Sequence, residues 1–178
     1  MTVIHPDPNW LHNTLNHMHD EEWRGENIDD VIRHLPIYFD YPLHIDYATA
    51  ITLTFMNDLM EQTRYNELSA LLELSLAGLA ECPTCLKDDI EIRNHIVRVE
   101  LVRGNVNRIH DMLEFIWKHI DDETIDPQLR LEIYRNTLKY ESLGYKISHD
   151  RDLVKATLQL ASSINLKEPE IYIDIAQY

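Results

Sequence analysis

Apolar residues along this chain fall into paired stripes at the three-to-four-residue spacing of an α-helix, and the pairs recur about every 40 residues. The first members of the pairs carry Ala48, Ile51, Phe55 and Leu59, then Ile92, Ile96, Val99 and Val102, then Leu129, Ile133 and Leu138. The second members carry Leu68, Leu71, Leu72, Leu76 and Leu79, then Ile109, Leu113, Ile116 and Ile120, then Leu153, Thr157, Leu158, Ala161 and Ile164. Short turn-like segments separate the partners: Arg64-Tyr65, Arg103-Gly104-Asn105 and Leu143-Gly144-Tyr145. Each pair leaves an apolar face that a neighbouring pair can cover, which predicts stacked helical hairpins and no strand. Tyr172-Ile-Asp-Ile alternates like a strand, but the preceding Glu168-Pro169 and the helical context predict a terminal capping helix.

Helix-start signals extend the pattern in both directions. Asp7-Pro8 sets a capping carboxylate before a proline in the first helical position, so a helix over roughly residues 8–22 is expected. A second is expected from Asn27, striped by Ile28, Val31, Ile32 and Leu35 and ended by Pro36, with Asp29 and Asp30 at its positive end. The segment between Pro36 and Pro42 reads as an irregular aromatic connector. Asp126-Pro127 and Ser148 mark later starts. The expected organisation is one all-α domain over residues 1–178: an N-terminal cap and connector (1–44), repeats (45–165) and a terminal helix (166–178).

Gly104, the Leu143-Gly144-Tyr145 turn, Ala156 and Leu160-Ala161 carry a resemblance to tetratricopeptide-like helical repeats, nearest in period to the longer units of bacterial transcriptional regulators of the maltose-activator type. That resemblance implies a right-handed α-solenoid of three to four antiparallel helix pairs. Its first helices would line a concave surface that holds a peptide or a partner helix.

Charge narrows the choice of partner. The chain has 31 acidic and 16 basic residues and a net charge of −15. Residues 1–85 hold 14 of the acids and 3 of the bases. Such a surface repels nucleic acid and anionic membrane, and steers a basic protein segment towards the N-terminal half. The opening residues lack a signal peptide's basic and apolar regions, no apolar run is long enough to span a bilayer, and two cysteines fit a reducing compartment, so a cytoplasmic location is expected.

Candidate chemistry is sparse. Cys82-Pro-Thr-Cys85 has the spacing of half a zinc site or of a redox pair, with His95 the nearest additional ligand, but a helix-ending corner with reduced thiols accounts for it better. His12, His17 and His19 do not share a helical face and read as solvated side chains. Arg93, Arg98, Arg103 and Arg108 recur every five residues, which rotates successive groups by roughly 140° and gives surface ion pairs in place of a nucleic-acid stripe. Acid pairs such as Asp88-Asp89 and Asp121-Asp122 suit helix starts. Phosphate loops, nucleophile elbows and metalloprotease motifs are missing, so neither catalysis nor a cofactor is expected.

The expected function is therefore docking: an adaptor, chaperone or regulatory subunit that binds a basic protein, with oligomerisation open to its last helix. Tyr38, Phe39, Tyr41 and Tyr47 are the candidate anchors, with Asp29, Asp30, Asp40 and Asp46 the candidate charges. The alternative for the aromatics is a plug between the N-terminal helices and the repeats, and Trp10, Trp23 and Trp117 share that ambiguity. A second functional reading is an acidic decoy that occupies a nucleic-acid-binding enzyme by imitating phosphate charge.

Overall fold

A computed structural model describes residues 5–80, 86–147 and 152–164, and in these the chain is all-α, with no strand. The chain divides into two compact units, Met1–Cys85 and Leu86–Tyr178. Cys82, Cys85, Ser148 and the segment 166–178 lie outside the described residues.

The first unit contains α1 (Pro8–His17), α2 (Glu21–Tyr38), a short 3-10 turn (Pro42–His44), α3 (Ile45–Glu61) and α4 (Tyr65–Leu79). α1 begins as its Asp-Pro signal predicts, with the Asp7 carboxylate accepting the Asn9 N–H at 2.9 Å. The expected helix over 8–22 nevertheless breaks at Met18, and α2 starts six residues before Asn27. The Asp20 carboxylate accepts the Trp23 N–H at 3.2 Å, and Glu21 and Glu22 occupy the positive first turn. Asp29 and Asp30 consequently lie inside α2, not at its start.

Pro36 does not stop α2, which runs on to Tyr38. Without an N–H, Pro36 cannot bond back to Ile32, and the chain closes through longer bonds, Phe39 N–H to the Pro36 carbonyl and Asp40 N–H to the Ile37 carbonyl, both 3.3 Å. α3 and α4 bury the stripes expected of them, Ala48, Ile51, Phe55 and Leu59 against Leu68, Leu71, Leu72, Leu76 and Leu79. Between them Thr63 takes a left-handed φ of 57°.

The second unit contains α5 (Leu86–Arg103), α6 (Val106–Lys118), α7 (Pro127–Ser142) and α8 (Leu153–Ser163). α5 packs on α6 and on α7, and α7 packs on α8. Ile92, Ile96 and Val99 face inward, whereas Val102, the last of that stripe, is exposed in the closing turn of α5. Gly104 (φ 75°) and Gly144 (φ 96°) end α5 and α7 in the left-handed region where a side chain is strained. Asp126 caps α7 through the Leu129 N–H at 2.9 Å. Asp152 caps α8 through the Lys155 N–H at 3.1 Å.

The three tryptophans are structural. Trp10 donates to Asp30 at 2.7 Å and stacks on Tyr38, Trp23 meets Phe55 edge-on, and Trp117 donates to the Thr137 hydroxyl at 3.0 Å while stacking on Tyr134. Among the described residues no helix is long and apolar enough to cross a membrane.

Candidate functional site

Two surfaces carry chemistry, one in each unit. The first is the corner where α2 gives way to the 3-10 turn and α3. Because α2 continues past Pro36, Tyr38 still follows the helical stripe and points inward, at 2% exposure. Its hydroxyl donates to the Asp7 carbonyl at 2.7 Å and accepts the Asp7 N–H at 2.9 Å. Burial raises the Tyr38 phenol above its ordinary pKa, and the Asp7 charge adds to that, while the Asp7 backbone bond opposes it. Phe39 is likewise buried. Both rings are core, so they do not belong among the surface anchors.

Two aromatics of the same segment remain outside: Tyr41, tilted over His44, is 41% exposed and Tyr47 is 51% exposed. Leu43 stands between them at 87%, the most exposed large apolar side chain described. Asp40 and Asp46 are exposed on the same eight-residue stretch. Leu43 belongs to no helical stripe, so periodicity has nothing to say of it; its only sequence signal is an apolar residue directly after Pro42 in a connector.

Asp29 and Asp30 are engaged elsewhere. Asp29 pairs with Arg64, which also holds Glu67, and Asp30 accepts from Trp10 and lies 3.0 Å from the His34 ring. Arg24 pairs with Asp58 at 2.6 Å. Arg24 and Arg64 thus neutralise specific carboxylates of the acidic unit, and neither Asp40 nor Asp46 has an ion-pair partner among the described residues.

The second surface is an open groove of about 380 Å³ between α5 and α7. Helical spacing brings Asn94, His95 and Arg98 of α5 to one side, and Glu132, Arg135, Asn136 and Lys139 of α7 to the other. At its floor the buried Asn136 side chain donates to the buried Asn94 carbonyl oxygen at 2.9 Å. His95 sits 3.9 Å from Glu91, whose carboxyl is held below the ordinary glutamate range chiefly by that imidazole, against an opposing effect of burial.

The arginine series separates here. Arg93 pairs with Asp89 and covers the Phe115 ring, 3.8 Å from its centroid, and Arg103 pairs with the buried Glu100. Those two are the ion pairs expected. Arg98 instead turns to the groove, and neither it nor Lys139 has an ion-pair partner among the described residues. Arg98 and Lys139 thus line the groove together with Arg135 and Glu132.

No group of three or more His, Cys, Asp or Glu side chains is arranged to hold a metal ion among the described residues. No known protein family, curated protein or solved structure matches this chain.

Proposed function

We propose that this protein is a non-enzymatic docking module, built of helical hairpins resembling tetratricopeptide repeats, whose acidic N-terminal unit receives a basic segment of another protein. The observation that carries this reading is the exposure of Leu43 between Tyr41 and Tyr47. A leucine left in water forgoes about 1.5–3 kcal/mol that burial in a partner recovers. Two flanking tyrosines supply rigid contact area at small entropic cost, and Asp40 and Asp46 attract lysine or arginine without first having to break an internal pair.

Affinity capture from native extract with the wild-type chain and with Leu43→Asp tests the reading. The substitution is on the surface and leaves the core intact. A single basic partner, held in stoichiometric amount by the wild type, lost with Leu43→Asp and released by salt, is the expected result. Capture of that partner undiminished by Leu43→Asp refutes the corner as the contact. If such capture is nonetheless salt-sensitive and the partner acts on nucleic acid, charge mimicry becomes the better account.

A further inference from the structure

The α5–α7 groove lies in the second unit and shares no residue with that corner. Asn136 bonds Asn94 at its floor and, nearer the helix starts, Lys87 pairs with Asp126 at 3.2 Å, so α5 and α7 run side by side in the same direction. We propose that the groove binds a free acidic amino acid of glutamate length.

The floor supplies the first observation. Asn94 is only 2% exposed yet lines the groove, and among the described residues its side chain makes one hydrogen bond, accepted by its carbonyl oxygen from Asn136. The Asn94 NH2 is therefore an unused donor, and the Asn136 carbonyl oxygen an unused acceptor. Polar groups this deeply set are costly to leave unpaired, so a ligand that offers one acceptor and one donor to the floor gains from both.

Charge on the walls supplies the second. Arg98, Lys139 and Glu132 have no ion-pair partner among the described residues, whereas His95 is held by Glu91 and Arg135 has an interaction partner of its own. Two cations and one carboxylate remain. Glutamate carries the opposite set, two carboxylates and one ammonium, so every charge on the ligand meets its opposite. The planar fork of Arg98 takes one carboxylate, with the Asn94 NH2 donating beneath it, and Lys139 takes the other as a point charge. The ammonium donates to Glu132 and to the Asn136 carbonyl oxygen.

Spacing selects the length. Glu132, Asn136 and Lys139 follow one face of α7, and seven residues separate the two ends, a rise of about 10.5 Å. Allowing about 2.8 Å for the ionic hydrogen bond at each end leaves about 5 Å between the ammonium and the far carboxylate, a span that glutamate covers and aspartate does not. The volume, about 380 Å³, lies near the lower end of the range for small-molecule sites, roughly 300–1,000 Å³.

The test is a titration of the full ¹⁵N-labelled chain with L-glutamate, L-aspartate and glutarate, each against sodium chloride at matched ionic strength. Saturable shifts of the Asn94 and Asn136 side-chain amide signals are expected with glutamate. Aspartate, which is shorter, and glutarate, which lacks the ammonium, should each bind about tenfold more weakly. Arg98→Gln should weaken glutamate about tenfold. Glu132→Gln should weaken glutamate but tighten glutarate, because the ammonium loses its counter-charge while the dicarboxylate loses a repulsion. Lys118→Ala, on α6, should change neither.

Glutamate shifts no larger than those from chloride overturn the proposal. So does aspartate or glutarate binding as tightly as glutamate, or wild-type affinity for glutamate in Arg98→Gln or Glu132→Gln. Both substitutions are at exposed positions and leave the core intact.

Discussion

Asn136 of α7 donates its side-chain amide to the Asn94 carbonyl oxygen of α5, 2.9 Å away and shielded from solvent. A directional bond between two buried amides fixes how α5 and α7 register, and with it the opposition of Arg98 to Arg135 and Lys139 across the groove. Asn94→Ala or Asn136→Ala strands the other amide and should cost about 1–3 kcal/mol. Replacing both with leucine should recover most of that loss, since no buried polar group then lacks a partner. Hydrogen exchange of the α5 and α7 amides reads both outcomes within this unit.

The reciprocal bonds between Tyr38 and the Asp7 backbone anchor the start of α1 to the end of α2. Tyr38→Phe keeps the stacking on Trp10 but removes both bonds, leaving a partly buried N–H and carbonyl to find water. A loss of about 1–2 kcal/mol is expected in denaturant unfolding, with fraying concentrated in α1.

Two turns solve the same steric problem with different residues. Gly104 holds φ 75° in open space, so Gly104→Ala should cost about 1–2 kcal/mol from backbone strain alone, with no clash. Thr63 already bears such strain at φ 57°. Thr63→Gly should therefore raise stability by up to about 1 kcal/mol after the added freedom of the unfolded chain is counted. Thermal melts of the two variants should shift in opposite directions.

The Glu91 carboxyl is held down chiefly by His95, and Asp126 chiefly by the Leu129 N–H, with Lys87 assisting both. A depressed carboxylate stabilises the fold at pH values above its unfolded pKa, and that contribution disappears as pH falls through the folded pKa. The melting temperature should thus decline on acidification from the ordinary carboxylate range downward. Glu91→Gln should flatten the decline. Asp126→Asn tests charge separately from capping, because asparagine caps as well as aspartate.

The helices and their buried faces are legible because their apolar stripes are local. Ala48 to Leu59 and Leu68 to Leu79 are buried where spacing placed them, and Gly104 and Gly144 turn the chain where expected. The break at Met18 was not legible: Leu11, Leu15 and Met18 continue a helical spacing, and only the competing cap at Asp20 interrupts it. The stop expected at Pro36 does not occur, since a proline in the last turn forfeits one bond without ending the helix, and of the two readings open to Tyr38 the structure takes the buried one. The groove needed tertiary information. Arg135 and Lys139 share a face of α7 by spacing alone, but nothing in the sequence sets Arg98 of α5 opposite them.

The uneven division of charge makes ionic strength a selective stabiliser. Residues 1–85 carry 14 acids against 3 bases and repel themselves when compact, whereas residues 86–178 carry 17 against 13 and scarcely do. Added electrolyte should accordingly firm the N-terminal unit while leaving its neighbour almost indifferent, so the order in which the two halves melt becomes a property of the buffer as much as of the chain.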